Sequence, residues 1–166
     1  MTVVEGLVPA RASELSAVNP RISLRLSAED VIAIVERNHE CVIRHELDGG
    51  PVRVHRLPYA WNDGAMVLPS WTGIDGSLRA DLTMVECYVN ELEPATSWRI
   101  VLVRGRPSLF LPTGGARERA QWRTNLEALR LEVRDLAPPE ILALENYGVV
   151  RLKPDELSGS AVRVDD

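Results

Sequence analysis

The chain has 166 residues, 45% of them hydrophobic and 26% charged, with a formal net charge of -5. A chain of that size and composition forms one domain with its own core, which excludes a disordered protein. The acidic balance argues against nonspecific nucleic-acid binding, which needs clustered positive charge.

Residues 1–20 have weak periodicity and carry Pro9 and Pro20. They read as an arm ahead of a domain spanning 21–166. The opening MTVVEGLVPARASEL has neither the basic region nor the apolar run of a signal peptide. No segment reaches the ~18 apolar residues of a membrane span, so no membrane partner and a cytoplasmic location are expected.

LSAEDVIAIVERN, Leu26–Asn38, is the clearest helix. Ser27 is its N-cap and Asp30 stands three residues on, while Leu26 and Val31 fit a hydrophobic staple. Val31, Ile34 and Val35 form the apolar stripe. The period then changes to two. ECVIRHEL is a strand, Asp48–Gly50 a hairpin turn, and PVRVHRLPYAW the return strand. Asn62–Gly64 turns again into AMVLPSW. TGIDGS is a loop and SLRADL one helical turn. MVECYVNELE is a fourth strand, and SWRIVLVRGRPSLFLP a long fifth. A helix over GGARERAQWRTNLEALRLEV and a shorter one ending at Gly148 come next. VVRLKPDEL closes as a sixth strand.

Hairpin turns dominate and no βαβ repeat appears. The expected fold is therefore mainly β (α+β): a six-stranded, mostly antiparallel small barrel with flanking helices. Cys41 and Cys87 fall on separate strands without CxxC or Cys/His spacing. They read as free buried thiols, with no zinc site. Three scattered histidines make no metal set. No GxSxG, P-loop, HExxH or GxGxxG is present, so catalytic residues stay unassigned.

Along WRIVLVRGR, Trp98, Ile100, Leu102, Arg104 and Arg106 share one face; Arg99, Val101, Val103 and Gly105 share the other. Both faces are apolar at mid-strand, which makes this strand central. Gly105 marks a bulge or a close approach of another backbone or a ligand. Arg104 and Arg106 are left three roles: facing solvent, pairing with an acid such as Glu91 or Glu93, or facing a cofactor. An ion pair is expected for at least one of them.

The order of these segments resembles the pyridoxamine-phosphate-oxidase-like split β-barrel family, which includes nitroimidazole-resistance-type proteins. The resemblance covers roughly Leu26 to Gly159. It rests on the capped helix, on RVHRLPYAWNDG, and on GSLRADL. VECYVNELEPATSWRIVLVRGRP carries it most specifically, followed by VVRLKPDELSG at the end. It implies a homodimer with FMN in two equivalent grooves between subunits.

The resemblance also implies that residues on the second and third strands and the short helix hold the flavin phosphate. Such a phosphate needs converging cationic and hydroxyl donors. The candidates are Arg53 and His55, which share a strand face, and Arg56, which leaves the opposite face. Ser70 stands where the family has a hydroxyl, Trp71 is a candidate for stacking on the flavin ring, and Trp98 and Arg104 lie near the groove. Two positions depart from the family: Pro69 precedes the hydroxyl, and Leu78 stands where a lysine is usual, unless the register shifts to Arg79. The implied function is an FMN-dependent oxidoreductase acting on a small molecule that no motif names. The alternatives are a non-catalytic flavin, deazaflavin or haem binder of the same fold, or an apo dimeric scaffold.

Overall fold

The computed structural model describes residues 23–46, 52–70, 85–93, 97–133 and 148–163. Its first helix, α1 (Ala28–Arg37), starts where the sequence predicts. The Asp30 N–H donates to Ser27 Oγ at 3.1 Å. The Ser27 hydroxyl in turn donates to Asp30 Oδ2 at 2.7 Å, which tightens the cap and keeps a carboxylate at the positive end of the helix. Val31, Ile34 and Val35 are buried. Each contributes ~1.5–3 kcal/mol by leaving water.

The strands are β1 (Ser23–Arg25), β2 (Glu40–Glu46), β3 (Val52–Pro58), β4 (Ala60–Asn62), β5 (Ala65–Pro69), β6 (Val85–Glu93), β7 (Ser97–Phe110) and β8 (Val149–Arg163). They form one antiparallel sheet in the order β3-β2-β6-β7-β8-β5-β4, with β1 added to β8. The two ends of this path, β3 and β4, are consecutive in the chain. The sheet curls until β3 lies near β5. The corner at Tyr59 joins the ends covalently where no ladder joins them, so the result is a split β-barrel.

Among the described residues there are eight strands where the sequence suggests six. Pro58 lacks an N–H and Tyr59 turns into the core, so the return strand breaks into β3 and β4. Residues 23–25 pair with β8 although they lack a strand pattern of their own. β8 runs on through small and polar residues to Arg163 because β7 and β1 hold its backbone on both sides. The central place of β7 agrees with its two apolar faces.

The turn between β4 and β5 has Asp63 at φ 50° and Gly64 at φ 66°, the doubly positive pattern of a two-residue hairpin turn. Helix α2 (Ala116–Val133) covers this hairpin with Trp122, Leu126 and Leu129, which meet Ala60, Val67 and Val149. The Asp48–Gly50 turn and the two short helices lie outside the described residues.

The main core fills the barrel. Ile43, Cys41, Cys87, Val89, Val101, Val103 and Leu152 meet α1 through Ile34 and Val35. Cys41 and Cys87 are free thiols within it. Burial, then a hydrogen bond with Cys87, pushes the Cys41 thiol well up, which makes it inert at neutral pH.

Candidate functional site

The site is built around one corner. Tyr59 is fully buried. Its hydroxyl donates to the Val35 carbonyl at 2.9 Å, and its N–H donates to the His39 carbonyl at 2.8 Å. Val35 lies in the last turn of α1, where helical partners run out, and His39 follows the Asn38 cap. One residue thus fixes the split of the barrel to the helix. Burial raises the Tyr59 phenol far above its ordinary value, so the hydroxyl stays a donor.

β3 and β5 face each other across the split. His55 on β3 is half-buried. Arg53 sits two residues before it, paired through the backbone with His45. Ser70 follows β5 and is half-buried; its N–H donates to the Gly148 carbonyl at 2.9 Å. That bond fixes the hydroxyl at the end of a strand whose five residues are all buried. His55 and Ser70 thus stand on the two strands that border the split, and the Arg53 side chain lies outside what the structure describes.

The other candidates divide by face. Arg56 leaves the outer side of β3, as expected, where it donates from Nη2 to Glu40 Oε2 at 2.6 Å. Trp98 and Arg104 also lie on the outer side, in register with Val162 and Glu156. His55 leaves the inner side, in register with Ile43, so neither shares a face with it. Trp71, Leu78 and Arg79 lie outside the described residues.

Arg104 is ion-paired, but not with Glu91. Its partners are Glu86 at 3.8 Å and Glu156 at 3.6 Å. Glu91 lies on the inner side and is held by Arg37, at 2.6 Å from Nε, with Arg99 at 3.8 Å. The Arg37 hydrogen bonds hold the Glu91 carboxyl below its ordinary range. Arg106 is exposed. Gly105 meets both expectations for it: the register shifts between Arg104 and Gly105, and the Lys153 backbone approaches there.

Two groups went unread in the sequence. On the outer face, Arg44 Nη1 donates to Glu86 Oε2 at 2.9 Å, and the Tyr88 hydroxyl donates to the same oxygen at 3.0 Å. Partial burial, then that bond, raises the Tyr88 phenol. The alternating ECYVNELE pattern carries the signal for this cluster. Near α2, Arg151 donates to Asn125 Oδ1 at 3.2 Å and to the Asn62 and Asp63 carbonyls at 3.3 Å. It ties the β4–β5 turn to a buried amide. Among the described residues, no group of three metal-ligating side chains occurs, and no helix is long and apolar enough to cross a membrane.

No family model and no curated protein matches the chain. Solved structures do match. An FAD-binding protein from Mesorhizobium loti aligns with a TM-score of 0.64 at 20% identity, over 84% of this chain and 98% of its own. A putative pyridoxamine 5'-phosphate oxidase from Corynebacterium glutamicum aligns with a TM-score of 0.64 at 14% identity, over 87% and 96%. The haem storage protein of Vibrio cholerae aligns with a TM-score of 0.58 at 14% identity, over 84% and 96%. At these identities the likeness establishes the fold: the chain has the split barrel of the pyridoxamine-phosphate-oxidase-like proteins.

Proposed function

We propose that this protein binds a flavin, with FMN as the cofactor, and serves as an oxidoreductase toward a small molecule. The observation that supports it most is the match of nearly the whole barrel to an FAD-binding protein and to a putative pyridoxamine 5'-phosphate oxidase of the same fold. The donor set agrees. His55 and Ser70 flank the split, and Arg53 shares the strand of His55. Arg56 is spent on Glu40.

When bound, the flavin supplies the electron chemistry, and the chain needs no acid-base group for it. The residues of the chain bind and orient. Arg53 would hold the phosphate by charge, and His55 and Ser70 would donate hydrogen bonds to it. On the family resemblance, Arg79 would add the cation that Leu78 lacks. On the same resemblance Trp71 would stack on the ring; Trp71, Leu78 and Arg79 lie outside the described residues. The buried strand β5 and the Tyr59 corner exclude water from the inner side of the split. Trp98 and Arg104, on the outer face, serve a cofactor only in a groove between two copies, so the functional unit is a homodimer.

Fluorescence titration with FMN and riboflavin tests the assignment. Arg53→Ala and Arg79→Met each weaken FMN at least ~tenfold and leave riboflavin, which lacks the phosphate, nearly unchanged. Arg56→Ala changes neither. Equal binding of FMN and riboflavin by the wild type contradicts a phosphate site.

A second reading is a non-catalytic carrier, favoured by the fold shared with a haem storage protein. Reduction of the bound cofactor by a nicotinamide and reoxidation by a quinone or nitroaromatic separate the two.

A further inference from the structure

Beyond the Gly105 bulge, the outer face of the β7–β8 ladder sets two cations opposite each other, Arg106 and Lys153. The face follows from α2. Val67 and Val149 lie under that helix, Arg151 is in register with Val67, and Lys153 stands two residues on. Both side chains are exposed, and among the described residues neither forms an ion pair or a side-chain hydrogen bond. Their cationic neighbours on the same face are satisfied. Arg104 reaches Glu86 and Glu156, and Arg151 reaches Asn125 and Asp63. Lys153 is also the one lysine of the chain; all the others among its 19 lysines and arginines are arginine.

Like charges directly opposite each other on antiparallel strands destabilise the pairing, with Cβ atoms only ~4.5–5.5 Å apart. The same ladder sets Glu156 against Arg104, and an acid at position 106 or 153 would remove the cost in the same way. A local rule broken without compensation inside the chain points to a compensating group outside it. We propose that Arg106 and Lys153 bind an anion, the phosphomonoester group of a small molecule. Two cations match that group, which carries ~1.5–2 negative charges at neutral pH. A carboxylate or a phosphodiester brings a single charge. The guanidinium offers a fork and the ammonium a point charge, so the two take different oxygens of one phosphate. Ser108, exposed and two residues further along the same face of β7, supplies a hydroxyl donor. Nucleic acids and anionic membranes also present phosphates, but as extended charge that a net charge of -5 repels. The site stands apart from the split. Pro69, which precedes Ser70, pairs with Val149, four residues or ~13 Å along β8 from Lys153. The flavin reading and this site therefore stand or fall separately.

Calorimetric titration with glycerol phosphate, at constant ionic strength with chloride as the balancing anion, tests the site. Arg106→Gln and Lys153→Gln are each expected to weaken binding at least ~tenfold. Lys153→Glu acts with two signs: it abolishes binding, and it raises the urea midpoint above that of the wild type because it faces Arg106. The single lysine also gives a check without substitution. At ~10 times its dissociation constant, glycerol phosphate is expected to slow acylation of the Lys153 Nζ by ~tenfold, and chloride at the same ionic strength is not. Unchanged binding in either glutamine variant, a lower urea midpoint in Lys153→Glu, or equal protection by chloride overturns the proposal. Glycerol phosphate binding that survives Lys153→Gln but is lost in Arg53→Ala belongs to the split and overturns it too. So does binding of phosphatidylserine vesicles or of an oligonucleotide through Lys153 in the absence of any for glycerol phosphate.

Discussion

The backbone of Gly105 lies directly against the Lys153 carbonyl, so close that a Cβ at Gly105 would overlap its oxygen. The bulge that follows Arg104 makes this contact possible. It also sets Arg104 at the last regular position of β7 before the bulge. Gly105→Ala forces two backbones of the central ladder apart. Overpacking of this kind costs ~1–3 kcal/mol or more. Gly64 gives the comparison: it has open space around it and only its φ of 66° resists a side chain, at ~1–2 kcal/mol. Urea unfolding is expected to show the greater loss for Gly105→Ala. A smaller loss there means that the bulge relaxes freely.

Alkaline pH should unfold the protein through its core. Tyr59 and Cys41 both have folded pKa values raised chiefly by burial. Groups of this kind stay protonated in the fold but lose their protons in the unfolded chain. Their stabilisation is complete below the ordinary values and declines as pH rises past ~8.5 for the thiol and ~10 for the phenol. Urea midpoints at neutral pH, at pH ~9.5 and at pH ~11 measure the decline, the first interval reading the thiol and the second the phenol. Cys41→Ala is expected to flatten its lower part and Tyr59→Phe its upper part. Tyr59→Phe also lowers stability at neutral pH by ~1–3 kcal/mol, because the Val35 carbonyl loses its donor. An unchanged slope in both variants contradicts the burial argument.

Acid has the opposite sign at Glu91. Arg37 holds that carboxyl below its ordinary value, so its stabilisation is present above ~4.3 and is lost as pH falls below it. The Arg37 side chain is 50% exposed, which limits the effect to less than ~1 kcal/mol. Glu91→Gln should make the acid limb of the stability curve shallower and leave neutral pH little altered. A limb as steep as in the wild type assigns the acid sensitivity elsewhere.

Local chemistry was the legible part of this chain. The Ser27 cap, the Asn62–Gly64 turn, the two faces of β7 and the role of Gly105 each depend on neighbours a few residues away. Partners across the sheet were harder. For Arg104 and Arg106 the sequence suggests an ion pair for at least one of them, with an acid such as Glu91 or Glu93, and does not single out Glu86. Counting outward from the β6–β7 turn, where Arg99 pairs with Glu91, places Arg104 opposite Glu86. The break at Pro58 and Tyr59 was hidden because an aromatic after proline continues a strand pattern as readily as it ends one. For the candidate site, the strand positions of His55 and Arg56 were legible from alternation. The division of Trp98 and Arg104 from the split was not, since it depends on how the sheet curls.

The absorption spectrum of the freshly purified protein, with the released ligand identified by mass, tests the flavin assignment most directly. The expected result is the spectrum of an oxidised flavin and the mass of FMN. A colourless protein, or a haem spectrum in place of the flavin one, contradicts it.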